Sequence, residues 1–270
     1  MSEHDKEFAG SIPEIYDRRL VPLIFEEFAD DLAQRAASFA PINVLETAAG
    51  SGVVTRALAP RLSADASYTV TDLNLPMLDY AATRQPADPR VRWLKADALA
   101  LPFEDATFDL VCCQFGVMFF PDRQVGYREA KRVLRPGGRF LFNVWDRIEE
   151  NVFANDVTNA LAELFPDDPP RFMARTPHGY HDVALIRRDL ETAGFAGVLV
   201  ETRARQSRAS SPRDPAVAYC QGTPLRNEIE ARDPGKLGAA TDHAASVIAN
   251  RHGTGAVAAK IQAHIVLAAA

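Results

Sequence analysis

A run of small residues at the end of an apolar segment is the part of the sequence best suited to bind a ligand. Residues 44–47 have the composition of a strand, Ala48-Ala49-Gly50-Ser51-Gly52 follows, and helical spacing begins at Val53. Glycine lets a ligand approach the backbone closely, and the first turn of a helix presents N–H groups that attract an anion. The pattern predicts a nucleotide-binding loop, a feature that many α/β folds share.

The acid at the mouth of this loop narrows the class of ligand. Glu46 would repel a pyrophosphate and attract an ammonium or sulfonium group. A dinucleotide fingerprint also needs a third small residue at the position where this chain has Thr55. Both observations favour a cationic nucleotide ligand over a dinucleotide.

Two aspartates follow the next two predicted strands. Asp72 closes the second strand, where a carboxylate can accept hydrogen bonds from both hydroxyls of a ribose, although it could instead cap the helix that begins at Pro76. Asp97 follows the third strand and could accept from an adenine amino group, with a surface turn as the alternative. Ligands of open α/β sheets collect at the carboxyl ends of strands, which favours binding roles for both.

A parallel sheet would bring these residues to one edge, and the order of segments predicts such a sheet. Strand-like and helix-like segments alternate, which is typical of βαβ units. The predicted strands are residues 42–47, 68–72, 91–95, 108–114 and 139–145, and the predicted helices are 15–37, 53–62, 76–83 and 126–134. Gly137-Gly138 predicts a turn before the fifth strand.

The chain after the fifth strand is less regular. The remaining predicted elements are a helix at 152–164, a proline-rich loop at 165–180, a helix at 183–193 and strands at 198–203 and 261–268. Asp182 would cap the helix at 183–193 and Gly194 would close it. The connection at 214–252 has helices with breaks and is long enough to form a cap over the site.

Composition and charge exclude several classes of protein. The net charge of −6 and the scattered arginines argue against a nucleic-acid surface. Cys112 and Cys113 are adjacent and Cys220 is distant, so no zinc site or redox dithiol is indicated. No apolar run approaches the roughly 20 residues of a membrane helix, and the polar N-terminus is unlike a secretory signal. We predict a cytoplasmic protein with no metal site, no membrane span and no nucleic-acid partner.

Five motifs occur in a fixed order between residues 42 and 145. They are LETAAGSG from Leu45, TDLN from Thr71 with Met77-Leu78, ADALALPF from Ala96, FDLV from Phe108 and EAKRVLRPGG from Glu129. Together they resemble the class I S-adenosylmethionine-dependent methyltransferases, in particular the group similar to the ubiquinone/menaquinone-biosynthesis enzyme UbiE. One departure is that Ala48-Ala49 replaces the first Gly-Cys of the usual Gly-Cys-Gly-Thr-Gly. Because alanine is small, we expect cofactor binding to be retained.

The resemblance implies a set of residues that bind S-adenosylmethionine. Glu46 and the backbone of Ala48, Gly50, Ser51 and Gly52 would face the methionine part, and Asp72 would bind the ribose. The other implied contacts are Leu73 and Met77 on the adenine, Asp97, Ala98 and Leu99 at its edge, Gln114 and Phe115 near the sulfonium, and Tyr16 closing over the cofactor. For Tyr16, packing in the core is the alternative.

The resemblance also implies a fold and a division of the chain. The fold is a Rossmann-like, seven-stranded and mostly parallel α/β sheet with an antiparallel last strand, helices on both faces and a helical cap. We predict one methyltransferase domain over 1–270. Its predicted parts are an N-terminal helical segment at 1–40, a cofactor-binding half at 41–146, and acceptor-side and cap helices at 147–195 and 205–258.

Methyl transfer from a sulfonium is an in-line displacement on an activated donor, so the protein mainly aligns the reactants and excludes water. A base is needed only when the acceptor must lose a proton. The candidates are His178, His181 and Asp146, and the alternatives are loop histidines that bond the backbone and a simple turn aspartate. Cys112 and Cys113 lie in a strand and are interpreted as small core residues rather than catalytic ones.

The leading hypothesis is a methyltransferase that acts on a small-molecule acceptor. The alternatives are a non-catalytic protein that binds S-adenosylmethionine and a nicotinamide-dependent oxidoreductase; Glu46 and Thr55 argue against the latter. The hypothesis allows for a homodimer. The acceptor atom is not indicated by the sequence.

Overall fold

The computed structural model describes residues 12–270, and it divides into two units by its internal contacts. Unit 1 contains the described residues of Met1–Glu26 together with Trp145–Tyr180 and Ala204–Gln262. Unit 2 contains Glu27–Val144, His181–Arg203 and Ala263–Ala270. The first eleven residues of the predicted N-terminal segment lie outside the described residues. The predicted division into one domain with a cofactor half and a cap stays a prediction.

Seven strands form one sheet in the order β3-β2-β1-β4-β5-β7-β6. The strands are β1 Asn43–Glu46, β2 Ser67–Asp72, β3 Val91–Lys95, β4 Phe108–Gln114, β5 Leu134–Trp145, β6 Ala196–Ala209 and β7 Val257–Ala269. β1 pairs in parallel with β2 and β4, β2 with β3, and β4 with β5. From β1 the strands are added outward to β2 and β3 on one side and then to β4 and β5 on the other. The switch point of the sheet therefore lies at the carboxyl ends of β1 and β4, where ligands of such sheets bind.

The last strand runs antiparallel to β5. Ala270 exchanges backbone hydrogen bonds with Gly137 and Gly138 at the start of β5, and Asp146 just after β5 donates to Gln262. Residues later in β5 therefore pair with residues earlier in β7. This confirms the predicted seven-stranded, mostly parallel sheet with an antiparallel last strand.

Eleven α-helices and a π-helical stretch lie among the described residues. The helices are α1 Ile12–Ile15, α2 Glu26–Ser38, α3 Val53–Leu58, α4 Leu75–Arg84, α5 Arg123–Val133, α6 Val152–Leu164, α7 Phe172–Arg175, α8 Val183–Thr192, α9 Arg213–Gln221, α10 Leu225–Arg232 and α11 Leu237–His252. The π-helix covers Tyr16–Phe25 and contains Pro22. Sequence periodicity predicted a helix here but not its π-helical winding, which is rare in proteins.

The start of β5 differs from the prediction. Gly137-Gly138 lies inside the strand, because β5 begins at Leu134. β4 pairs Phe108 with Leu134 but Leu110 with Arg139, so the intervening residues of β5 bulge out of the ladder. The turn was therefore wrong as a strand boundary, although Gly137 does adopt a φ of +80° in the bulge.

The second half of the chain follows the prediction more closely. The Asp182 side chain accepts hydrogen bonds from the backbone N–H groups of Ala184 and Leu185, which confirms it as the cap of α8. Gly194 ends that helix with a φ of +91°. The strands β6 and β7 are longer than predicted, and the loop at 165–180 contains the short helix α7.

Each unit has its own core. In unit 2 the buried residues Val44, Val70 and Leu110 from the central strands pack with Ala29 and Leu32 of α2. In unit 1 the helix α11 packs against α6 and α9. A buried carboxylate also joins two of these helices, since Asp156 on α6 accepts hydrogen bonds from Arg251 and His252 on α11.

Candidate functional site

The loop between β1 and α3 has three residues in the left-handed region of the backbone. Ala48, Gly50 and Gly52 have φ values of +52°, +57° and +78°. A Cβ placed on Gly52 would lie 3.0 Å from the Cβ of Ala81, so glycine is needed for the close approach of α3 and α4. The same loop that the sequence indicated is thus folded back tightly at the carboxyl end of β1.

Ala48 occupies the position where the methyltransferase pattern has its first glycine. A left-handed backbone costs an alanine about 1 kcal/mol, and space must be found for its methyl group. Gly116, after β4, supplies that space: a Cβ on Gly116 would lie 2.6 Å from the Cβ of Ala48. The departure is therefore accommodated by a second glycine that the resemblance did not single out.

Glu46 lies behind the loop rather than at an open mouth. Its side chain is only 1% exposed, and Oε2 accepts hydrogen bonds from the hydroxyls of Thr55, at 2.7 Å, and Tyr68. Burial raises the pKa of this carboxyl to about 7, against the hydrogen bonds from Tyr68 and Thr55, which lower it. Its charge near neutral pH is therefore partial, and the electrostatic preference expected from the sequence is weaker than an open, ionised acid would give.

Ser51 presents a polar atom without a protein partner. Its side chain is 1% exposed, and within residues 12–270 its Oγ has no hydrogen-bond partner. A buried hydroxyl is normally hydrogen-bonded, and an orphan at a glycine-rich loop is the arrangement expected where a ligand supplies the partner. The loop itself is held by Arg56, whose Nη1 donates to the Ser51 carbonyl at 2.6 Å.

Asp72 at the end of β2 is tied to the loop. Its Oδ2 accepts from the Gly50 N–H at 2.8 Å, and its Oδ1 accepts from the Asn74 N–H at 2.7 Å. Burial raises the pKa of Asp72, and the backbone N–H groups of Asn74 and Gly50 oppose that shift. Each carboxylate oxygen can accept a second hydrogen bond, so a bidentate diol remains compatible with these contacts.

Two apolar side chains lie close to Asp72 in the sequence. Leu73 is 41% exposed although it is a large aliphatic residue. Met77 is buried at the start of α4, and its Cε would lie 3.7 Å from a Cβ on Gly50. The structure thus brings Gly50, Asp72 and Met77 together, as the sequence predicted.

The end of β3 joins the same edge of the sheet. The Ala96 N–H donates to the Asp72 carbonyl at 3.1 Å, which places Asp97 one residue beyond this contact. Asp97 is exposed, and its Oδ1 accepts from the Leu99 N–H at 2.9 Å in a tight turn. Ala98 lies within that turn and is partly exposed.

The end of β4 makes an unusual turn. Gln114 is the last residue of the strand, and Phe115 has a φ of +49°, which is rare for an aromatic residue. The Phe115 ring is 5% exposed and lies edge-on to Phe28 of α2, with ring centroids 5.6 Å apart. Strained turns of this kind cluster at functional sites.

The predicted residues Tyr16, His178 and Asp146 belong to unit 1. Tyr16 stacks on Phe25 with centroids 5.2 Å apart, Phe25 packs on Trp145, and His178 lies beside Trp145. His178 is 4% exposed, and its Nδ1 lies 2.8 Å from the Asp146 carbonyl, so this nitrogen carries the proton.

The Asp146 side chain bonds the backbone of its own turn and a side chain of β7. Its Oδ1 accepts from the Arg147 N–H and its Oδ2 from the Gln262 side chain. His181 is partly exposed and belongs to unit 2. The contacts of Asp146 agree with the turn role that the sequence left as its alternative.

Comparison with known proteins identifies the family. A family model described as a methyltransferase domain matches residues 45–142. The ubiquinone/menaquinone biosynthesis C-methyltransferase UbiE of Idiomarina loihiensis is 35% identical over 58% of this chain and 67% of its own length. A demethylmenaquinone methyltransferase of Mycolicibacterium gilvum is 31% identical over 57% of this chain and 68% of its own length.

The chain belongs to the class I S-adenosylmethionine-dependent methyltransferases of the UbiE-like group. Among solved structures, phosphoethanolamine N-methyltransferase 2 of Haemonchus contortus, in complex with S-adenosyl-L-methionine, shares the fold with a TM-score of 0.61 and 18% identity. That alignment covers 100% of this chain and 60% of the other. The curated relatives are matched over 43% to 68% of their own lengths.

This methyltransferase has site features that sequence reasoning missed. Thr55 and Tyr68, which bond the buried Glu46 carboxyl, were not predicted, although a tyrosine facing the strand that carries the acid was a usable signal. Asn143 was also missed: its Oδ1 accepts from the Phe115 N–H at 2.9 Å. The signal was a lone amide within the apolar run of β5.

Three further findings concern the described residues as a whole. Within residues 12–270 no group of three or more His, Cys, Asp or Glu side chains could hold a metal ion. No helix in that same range is long and apolar enough to cross a membrane. Cys112, Cys113 and Cys220 are buried free thiols, and burial raises the pKa of each.

Proposed function

We propose that this methyltransferase binds S-adenosylmethionine at the carboxyl ends of β1, β2 and β3 and transfers its methyl group to a small-molecule acceptor. The observation that carries the proposal is the buried, unpartnered Ser51 Oγ in a loop whose Gly50 N–H is bound by Asp72. These features fit the cofactor of the family. An unpartnered hydroxyl, a loop of small residues that a ligand can approach closely and a carboxylate that can accept from a diol suit such a nucleoside.

Each cofactor contact is assigned by joining the resemblance to the geometry. The backbone from Ala48 to Gly52, with Glu46 behind it, would hold the methionine part. The remaining assignments are Asp72 to the ribose, Leu73 and Met77 to the adenine, Asp97, Ala98 and Leu99 to its edge, and Gln114 and Phe115 to the region of the sulfonium. Tyr16, in unit 1, stays a prediction from the resemblance.

The chemistry divides between the cofactor and the chain. When bound, S-adenosylmethionine supplies a methyl group that is attached to a cationic sulfur, and transfer of the methyl group leaves this sulfur as a neutral thioether. The residues of the chain bind and orient the reactants and exclude water, and no residue needs to become covalently attached. The His178 Nδ1 donates to the Asp146 carbonyl at 2.8 Å, and this hydrogen bond orients the imidazole ring.

A small-molecule acceptor is supported by charge and by the names of the relatives. The net charge of −6 disfavours a nucleic-acid acceptor. The curated relatives are named for ubiquinone and menaquinone biosynthesis, so demethylated quinols are the first acceptors to try. The family match at 45–142 lies wholly in unit 2, so the residues that choose the acceptor need not follow those relatives.

Turnover tests the proposal. Purified protein is incubated with S-adenosylmethionine and a panel of reduced demethylquinones, phenols and amines, and release of S-adenosylhomocysteine is measured by mass spectrometry. The proposal predicts release that depends on one acceptor and is abolished by Asp72→Ala but retained by Asp79→Ala, an exposed carboxylate on α4. Cofactor binding without release for any acceptor would favour a non-catalytic binding protein.

A further inference from the structure

The last part of β5, from Leu141 to Trp145, carries one amide on a face that is otherwise apolar. Side chains alternate along a strand, so Asn143 shares its face with Leu141, which packs in the core of unit 2 with residues of α2. Asn143 is 0% exposed. A fully buried amide in such a setting needs a reason, because its donor and acceptor both lose water.

The Oδ1 atom of Asn143 is hydrogen-bonded to the turn that follows β4. The Asn143 Oδ1 accepts from the Phe115 N–H at 2.9 Å, and the Asn143 backbone carbonyl accepts from the same N–H at 3.1 Å. Phe115 has a φ of +49° and is therefore strained. Because the backbone carbonyl alone already pairs this N–H, the side chain is not required to satisfy it; the second bond restrains the direction of the turn.

The turn lies directly against the glycine-rich loop. A Cβ on Gly116 would be 2.6 Å from both the Ala48 Cβ and the Cys113 Sγ, so Gly116 and Ala48 are in close contact. A shift of the turn would therefore move Ala48, which is itself held in a left-handed conformation. The position of the loop depends in this way on the hydrogen bond from Phe115 to Asn143.

The Nδ2 amino group of Asn143 lowers the stability of the fold. Within the described part of the chain, the Asn143 Nδ2 has no hydrogen-bond partner. A buried donor left unpaired costs free energy, whereas a leucine of similar volume would avoid that cost. Stability alone therefore gives no reason for an asparagine at this position.

We propose that Asn143 is a positioning residue for the cofactor site. Its carboxamide oxygen restrains the left-handed turn at Phe115, and this turn holds the loop from Ala48 to Gly52 in the conformation that binds the cofactor. The inference rests on the proposed function, in which that loop binds S-adenosylmethionine. It predicts that stability and cofactor affinity change in opposite directions when the amide is replaced by an apolar group.

The test compares three variants by calorimetric titration with S-adenosylhomocysteine and by thermal unfolding. Asn143→Leu is expected to unfold at the same temperature as wild type or higher, yet to bind about tenfold more weakly. Asn143→Asp keeps an acceptor oxygen for the Phe115 N–H and should recover affinity to within about threefold of wild type. Leu141→Val, the matched control on the same face, should lower the unfolding temperature and leave affinity unchanged.

Hydrogen exchange gives a readout that does not need the ligand. Peptides that contain Phe115 should exchange faster in Asn143→Leu than in wild type and return towards wild type in Asn143→Asp. Unchanged affinity and exchange in Asn143→Leu would overturn the proposal, as would equal weakening of binding by Leu141→Val. If wild type itself does not bind S-adenosylhomocysteine, the proposed function fails instead, and the exchange result still decides whether Asn143 holds the turn.

Discussion

Glu46 shows how burial changes the role of a residue that the sequence identifies correctly by position. The sequence places an acid at the end of the first strand, and Glu46 is the last residue of β1 in the structure. Its carboxyl is buried and accepts hydrogen bonds from Thr55 and Tyr68. Neither hydroxyl is close to Glu46 in sequence, so only the pairing of β1 with β2 and the packing of α3 bring them together. The charge state of the acid could not be predicted without those contacts.

The raised pKa of Glu46 predicts a pH-dependent stability. Between its usual pKa of 4.5 and the folded value of about 7, the folded chain keeps a proton that the unfolded chain releases. The free energy of unfolding therefore falls as pH rises through this window, by at most about 3 kcal/mol from this group. Urea unfolding of wild type and Glu46→Gln from pH 4.5 to 8 measures the difference.

In Glu46→Gln the part of the pH slope due to this carboxyl should disappear, because the amide does not titrate. Glu104→Gln, at an exposed position, serves as the control and should keep the wild-type slope. Parallel profiles for Glu46→Gln and wild type would show that folding does not raise the pKa of Glu46.

The close contact between Ala48 and Gly116 predicts that substitutions at these two positions have non-additive effects on stability. Gly116 has φ −102° and ψ −39°, which any residue can adopt, so Gly116→Ala should fail only through its methyl group. That methyl would lie 2.6 Å from the Ala48 Cβ and the Cys113 Sγ, and such overpacking costs about 1–3 kcal/mol. Ala48→Gly combined with Gly116→Ala should recover part of the loss in urea unfolding, since one of the two clashes is removed. Strictly additive effects of the two changes would contradict the contact.

At the scale of elements, sequence patterns correctly predicted the strands and helices whose boundaries are set by residues close to each other in the chain. The strands β3 and β4 and the helix α6 have the predicted boundaries, because each is a continuous apolar or periodic segment between clear breaks. The bulge of β5 and the π-helix at Tyr16–Phe25 were not predicted. The bulge depends on the register with β4, which is distant in sequence. The π-helix contains Pro22, which lacks the N–H of a regular α-helix.

The cap of α8 gives a prediction at this scale. The Asp182 carboxylate pairs two backbone N–H groups that the first turn of the helix would otherwise leave unpaired. Asp182→Ala should lower the free energy of unfolding by about 1 kcal/mol, whereas Asp182→Asn, which keeps an acceptor oxygen, should lose much less. Thermal or urea unfolding of both variants measures this, and equal losses would argue that charge rather than capping is responsible.

At the scale of the whole molecule, the stretch that matches the methyltransferase family covers part of one unit and none of the other. The family match at 45–142 lies within unit 2, and so do Glu46, Ser51, Asp72 and Asp97. The cofactor half of the candidate site was therefore predictable from motifs. The acceptor side was not, because methyl transfer from an activated donor imposes no obligatory residue pattern.

The net charge predicts how the molecule behaves towards nucleic acid. A net charge of −6 opposes association with a polyanion, so we expect no tight binding to a row of phosphates. In a gel-shift assay at about 0.15 M salt, about 10 μM protein should not retard a DNA duplex or a folded RNA. Retardation that weakens steeply with added salt would contradict this and would reopen a nucleic-acid acceptor.

Calorimetric titration shows whether the loop after β1, together with Asp72, binds S-adenosylmethionine as proposed. Wild type, Asp72→Ala and the control Asp79→Ala are titrated with S-adenosylmethionine, S-adenosylhomocysteine and NAD, after thermal unfolding has shown that each variant is folded. Wild type and Asp79→Ala should bind both sulfur compounds and not NAD, and Asp72→Ala should bind the sulfur compounds at least about tenfold more weakly. Folded wild-type protein that binds neither sulfur compound, or that binds NAD instead, would show that this loop is not an S-adenosylmethionine site.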